Sequence, residues 1–151
     1  MDNDWVYRYL GKPWMPGAKG PDAFSCWGLV QAVYLERFGI DLPDFAPADW
    51  QNLRDFAKVF SEEQESRDNW IEVKTLRPLD VILLGRSSFP VHCGLWVTPD
   101  RVLHSLQPFT VAGSGGGVVL QPVKSFGAHG WGYTRFLRNK KLAEVENATA
   151  R

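Results

Sequence analysis

The stretch Gly20-Pro-Asp-Ala-Phe-Ser-Cys-Trp-Gly-Leu-Val30 puts a cysteine, Cys26, where a loop gives way to a helix. The loop is marked by Gly11, Pro13, Pro16, Gly17, Gly20 and Pro21. Beyond it, apolar residues fall at Leu29, Val30, Val33 and Tyr34, which are offsets of three, four, seven and eight from Cys26. That spacing is the stripe of an amphipathic helix laid against a core. A thiol in the first turn of such a helix sits among unpaired backbone N–H groups at the positive end of the dipole, and both favour thiolate. Thiolate is the nucleophilic form. Inert core packing accounts for Cys26 equally well locally, because cysteine is among the most buried residue types and Cys26 lies on the apolar stripe.

The downstream sequence decides between these readings. Val91-His-Cys-Gly-Leu-Trp-Val97 is apolar and β-rich, a buried strand with His92 near its start. Thr98-Pro-Asp-Arg101 is a turn, and Val102-Leu-His-Ser-Leu106 returns as a second strand carrying His104. The two histidines, twelve residues apart, therefore occupy the arms of a hairpin, where register can bring their rings together. A helix-start cysteine, a strand histidine and a second polar group behind it make a nucleophile, a base and an orienter. Cys93 adjoins His92, so strand alternation predicts that it faces away from Cys26 and into core packing.

With these residues in place the chain resembles the NlpC-type, papain-like cysteine peptidases of bacterial cell walls, especially their bacteriophage-tail branch. Gly11-Lys-Pro-Trp14 resembles the family's opening Gly-x-Pro-aromatic motif, and Phe24-Ser-Cys-Trp-Gly-Leu-Val30 its nucleophile motif, followed by Phe38-Gly-Ile-Asp-Leu-Pro43. Leu79-Asp-Val-Ile-Leu-Leu84 resembles the strand before the base, and His92-Cys-Gly-Leu-Trp-Val97 with Val102-Leu-His104 the base and third-residue strands. Gly130-Trp-Gly-Tyr-Thr-Arg-Phe136 resembles the closing strand of phage members. The resemblance implies Cys26 as nucleophile, His92 as general base and His104 as its orienter, with Trp14, Ser25 and Trp27 around the oxyanion and substrate. It implies a peptidoglycan stem peptide as substrate, cut between D-glutamate and a diamino acid, and other phage-tail proteins as partners. The setting it implies is a virion tail, with wall digestion during DNA delivery or a part in tail assembly. A structural tail-tip protein with the same fold and no activity is the competing reading. Ser25 stands where most relatives carry aspartate; it can cap a helix but brings no charge. Trp14 stands where many cellular members carry tyrosine, and its indole can donate but not accept.

Composition fits this class. The chain has 151 residues, 44% apolar and 13% aromatic, enough for one sizeable core. Its formal charge is zero, without a basic patch or base-stacking motif, so no nucleic-acid partner is expected. No apolar run approaches the roughly 20 residues that span a membrane. The start, Met-Asp-Asn-Asp-Trp5, has no signal-peptide pattern, so cytoplasmic synthesis is expected. Neither a cofactor nor a metal is expected, since Cys and His show none of the close-spaced pairs of zinc sites.

The expected architecture is α+β and papain-like: an N-terminal helix carrying Cys26 packed on an antiparallel sheet of five or six strands. One peptidase domain would span residues 1–137, and residues 138–151 would be a frayed polar tail. Within the domain, Asp49 can cap a second helix bearing Trp50, Leu53, Phe56, Ala57 and Phe60, and residues 61–68 form a charged surface segment. Gly113-Ser-Gly-Gly-Gly117 lacks the Lys-Ser/Thr of a phosphate loop and reads as a flexible connection, and His129 as surface structure.

Overall fold

In the computed structural model, residues 4–43, 70–85, 92–97, 100–108, 115–126 and 133–149 are described. The expected helix at 49–60, the segment 61–68, Gly113, Ser114 and His129 lie outside them. Ser25 starts the first helix: its backbone is extended, and its hydroxyl accepts a hydrogen bond from the Gly28 N–H at 2.9 Å. This satisfies one of the donors that a helix start leaves unpaired. Helix α1 then runs Cys26–Phe38 and stops at Gly39, whose left-handed φ of 66° lets its N–H donate to the Leu35 carbonyl.

The expected stripe understates how deeply α1 is set. Every residue from Cys26 to Tyr34 is buried, and the helix reaches solvent in its last turn, where Leu35 is 53% exposed. A second layer closes the outer side. A short 3₁₀ helix, Asp4–Arg8, and the Gly/Pro loop bring Val6, Tyr9 and Phe24 into the core that α1 shares with the sheet.

Among the described residues six strands form one antiparallel sheet: β1 Trp70–Glu72, β2 Val81–Gly85, β3 His92–Val97, β4 Arg101–Leu106, β5 Gly117–Pro122 and β6 Tyr133–Asn139. Their order is β1-β6-β2-β3-β4-β5, and α1 packs on β3 and β4. This is the α+β, papain-like arrangement expected of the sequence. Both faces of the sheet are covered. Val81, Leu83, Cys93, Leu95, Val97 and Leu103 join the helix-side core, while Ile82, Leu84, Val102, Leu106 and Phe126 form a second core on the reverse face. Burial on both faces is why β2 reads as an unbroken apolar run, Val-Ile-Leu-Leu-Gly.

The C-terminal segment differs from expectation. Arg138 and Asn139 complete β6, and Lys140–Thr149 form a second helix, α2. Asn139 caps it, its side-chain oxygen accepting from the Lys141 N–H at 2.9 Å and the Leu142 N–H at 3.3 Å. Leu142, 2% exposed, is its anchor. With Asn139 as its cap and Leu142 as its one leucine, the segment presents no apolar stripe in the sequence. Arg138 has a further role. Its Nε donates to Asp80 Oδ1 at 3.0 Å and its Nη2 to Oδ2 at 2.8 Å, while the Arg77 N–H also donates to Oδ2. Asp80 is 1% exposed, so Arg138→Ala would strand a buried carboxylate. Stability should fall by about 3–5 kcal/mol, read as a lower urea midpoint. A midpoint equal to wild type would show the pair to be dispensable.

Candidate active site

Three hydrogen-bonded contacts aim the start of α1 at the sheet. The Ser105 hydroxyl on β4 donates to the Phe24 carbonyl at 2.6 Å, tying the residue two before Cys26 to the strand that carries His104. Phe24 is also bridged to Trp14, and its N–H donates to the Pro13 carbonyl. Gly28 lets the loop cross the first turn closely; a Cβ there would stand 1.8 Å from the Ala18 carbonyl oxygen. The loop continues onto β5, where the Gly11 N–H donates to the Val118 carbonyl and the Val118 N–H to the Lys12 carbonyl. Gly117, expected in a flexible connection, begins that strand in a left-handed conformation, φ 97°, that side chains disfavour.

Cys26, His92 and His104 come together at this point. Cys26 is 7% exposed, His92 7% and His104 0%. His92 Nε2 lies 2.8 Å from His104 Nδ1, and the His92 ring hydrogen-bonds the Cys26 sulfur. With Nε2 engaged by His104, Nδ1 is the ring nitrogen left for the sulfur. Gly94 makes room for the histidine pair: a Cβ there would fall 2.9 Å from His104 Cβ and 2.6 Å from a Val102 methyl.

Cys93 corrects the sequence reading. It does not face away: its thiol and its backbone N–H both hydrogen-bond the Cys26 sulfur. Alternation along β3 holds, but the sides are reversed. Cys93 shares the helix-side core with Leu95 and Val97, whereas His104, and the His92 bonded to it, belong to the reverse face with Phe126. His92 reaches Cys26 because it is the first residue of its strand, at the end of the sheet.

The charge distribution follows from these contacts. The Cys26 thiol is held well below the ordinary thiol range, chiefly by the Cys93 thiol donating to it, then by the hydrogen bond and charge of His92, with burial opposing. Burial, reinforced by the neighbouring Cys26, pushes the Cys93 thiol well up. One proton is thus kept on Cys93 and the negative charge on Cys26. A thiol held low remains thiolate as pH falls through the ordinary thiol range, so iodoacetamide near pH 7 should alkylate Cys26 and spare Cys93. Peptide mapping that finds Cys93 modified first would reverse this order.

The other expected site residues separate. Ser25 is 2% exposed and its hydroxyl is used twice, accepting from Gly28 N–H and donating to the Ala18 carbonyl at 3.2 Å, so it serves as a cap. Trp27 turns into the core at 1% exposure, donating to the Pro43 carbonyl at 2.9 Å and packing near Trp70. Trp14 stays half-buried on the loop beside Phe24.

Sequence reasoning missed Gln121 and Ser125. Gln121 on β5 pairs with Val102 and so stands diagonal to His104 on the same face. Its Oε1 lies 2.8 Å from His104 Nε2, and its Nε2 donates to Ser125 Oγ at 2.8 Å. The only signal in the sequence is a glutamine four residues before a serine, which is too common to single out.

The chain is similar to known proteins in sequence and in fold. Residues 11–122 match the profile of the NlpC/P60 family. Over 103 residues, 68% of this chain, the sequence is 26% identical to Protein P54 of Enterococcus faecium, and the match spans 17% of that relative's length. The fold is similar to the crystal structure of the NlpC/p60 domain of the peptidoglycan hydrolase SagA, with a TM-score of 0.54 at 23% identity, covering 87% of this chain and 90% of that one.

Proposed function

The chain belongs to the NlpC/P60 family, whose members are cysteine peptidases, and we propose that it hydrolyses the stem peptides of peptidoglycan, at the bond between D-glutamate and a diamino acid. The observation that supports this reading is the pair His92 and His104, with His92 Nε2 2.8 Å from His104 Nδ1, beside Cys26 at the start of α1.

In the proposed reaction the Cys26 thiolate attacks the peptide carbonyl, and the oxyanion is met by the Cys26 backbone N–H, with the Trp14 indole assigned as a second donor. His92, holding the proton it took from Cys26, delivers it to the leaving amine, which departs and leaves a thioester. Water, deprotonated by His92, then attacks the thioester carbonyl and restores the Cys26 thiolate. His104 orients the His92 ring throughout. The substrate class is supported by the likeness to a domain described as part of a peptidoglycan hydrolase.

The setting we propose is a phage or prophage tail, where the enzyme digests the wall locally during DNA delivery and contacts other tail proteins. Its support is the resemblance of Gly130-Trp-Gly-Tyr-Thr-Arg-Phe136 to the closing strand of phage members. A second reading, a structural tail protein with little or no activity, is favoured by Ser25, which caps α1 but supplies no charge where the family resemblance implies an aspartate. Incubating the purified protein with muropeptides and weighing the products decides between them. New fragments at the D-glutamyl bond are expected; intact muropeptides would favour the structural reading.

A further inference from the structure

We propose that Gln121 and Ser125 are positioning residues that lock His104, and through it His92, into the pair of tautomers in which His92 can accept a proton from Cys26. The inference rests on the reading of Cys26 and His92 as nucleophile and base.

The argument starts at the far end of a hydrogen-bond chain. The Ser125 hydroxyl donates to the Pro122 carbonyl at 2.7 Å, within the 3₁₀ turn Val123–Ser125 and its cap. A hydroxyl has one hydrogen, so toward Gln121 the Ser125 oxygen can only accept. Gln121 therefore presents its NH₂ to Ser125 and its carbonyl Oε1 to His104. Oε1 only accepts, so the hydrogen between it and His104 belongs to His104 Nε2. A neutral imidazole carries one N–H, which leaves His104 Nδ1 bare. The 2.8 Å contact from Nδ1 to His92 must then use a hydrogen on His92 Nε2. Neutral His92 is left with a bare Nδ1, turned to the Cys26 sulfur, where a base is needed.

Reversing one link shows what the lock prevents. If the Gln121 amide were flipped, its NH₂ would donate to His104 Nε2, and His104 Nδ1–H would donate to His92 Nε2. Neutral His92 would then hold its proton on Nδ1, facing Cys26, and could not accept another there. A correctly placed base in the wrong tautomer is a severe defect in hydrolases of this kind. The flip also requires the Ser125 hydroxyl to leave the Pro122 carbonyl. His104 is 0% exposed and Gln121 7%, so few water molecules can reach the pair to supply substitutes.

The direct test is the protonation pattern of the imidazole nitrogens, read by long-range proton–nitrogen NMR at a pH where the rings are neutral. Only three histidines need assigning. In the wild type, His104 and His92 should both carry their proton on Nε2. Gln121→Leu should lose that pattern, move the pH midpoint of Cys26 alkylation upward, and lower muropeptide cleavage roughly 10–100-fold, as when partners that orient a functional histidine are removed. Gln121→Glu keeps an acceptor and should restore the tautomers and the alkylation midpoint. Ser125→Ala should shift both in the same direction as Gln121→Leu, by less.

A wild-type His104 protonated on Nδ1, or a folded Gln121→Leu with wild-type tautomers and midpoint, overturns the proposal. Should Gln121→Leu not fold, Gln121→Glu with both protons on Nε2 supports it, and Gln121→Glu with His104 protonated on Nδ1 overturns it. The NMR and alkylation readings need no substrate, so they separate this proposal from the peptidase reading. A protein that cleaves no muropeptide while its tautomers follow Gln121 would refute the latter and support the former.

Discussion

Cys26→Ala should reduce muropeptide cleavage to background, and His92→Ala should lower it by about 10²–10⁴-fold, the usual contribution of a general base. The two losses should not add, because a nucleophile and its base act as one unit. Cys26→Ala removes one sulfur and should leave the fold intact. His92→Ala removes the 2.8 Å contact to the buried Nδ1 of His104, which costs about 1–3 kcal/mol, so its cleavage must be measured well below its unfolding temperature. His104→Ala should lose less activity than either, since water admitted by the smaller side chain can replace part of an orienting contact. All three variants would be compared with wild type on one purified muropeptide, with products weighed. Full cleavage by Cys26→Ala would end the thiol-peptidase reading, whatever happened at His92.

The residues of that prediction were legible in the chain because each sits at a place that local pattern marks. Cys26 follows a capping serine and opens a helical spacing, and His92 and His104 lie on the arms of a short hairpin. Their meeting was inferable from topology. Which side of the sheet they occupy was not. Alternation correctly separated His92 from Cys93, but deciding which of them faces α1 required knowing that β3 begins at the sheet end beside the helix start. The result is a Cys26 sulfur contacted by both His92 and Cys93.

Other features were hidden for a different reason. Gln121 acquires meaning only from the β4–β5 register that sets it diagonal to His104, a pairing made across 17 residues. Arg138 looked like the start of a polar tail because its partner, Asp80, lies 58 residues earlier. Trp27 misled in the opposite direction. The resemblance places it around the substrate, yet residues one apart on a helix point about 100° apart, and Trp27 packs near Trp70. Sequence reports a residue's local position well and its long-range partner poorly, and this site depends on both.

The same dependence makes Gly28 a severe place for a small change. Alanine is ordinarily the better helix former by about 1 kcal/mol, so propensity alone predicts that Gly28→Ala would stabilise α1. Packing predicts the opposite. The added Cβ would lie 1.8 Å from the Ala18 carbonyl oxygen and 2.8 Å from its carbon, and these are backbone atoms that no rotamer can move aside. The same oxygen accepts the Ser25 N–H at 2.9 Å and the Ser25 hydroxyl at 3.2 Å, so displacing it loosens the cap that sets Cys26. Gly28→Ala should therefore lose about 3 kcal/mol, at the upper end for overpacking, and cut cleavage more than about tenfold through the misplaced nucleophile. Gly39→Ala is the matched control. It lies in the left-handed region at φ 66° with nothing within 4 Å of its Cβ, so it should cost about 1–2 kcal/mol and leave cleavage unchanged. Urea midpoints and muropeptide cleavage measured on both variants separate steric displacement of the loop from simple backbone strain. A Gly28→Ala protein at least as stable as wild type, with full cleavage, would mean that the loop does not set the position of Cys26.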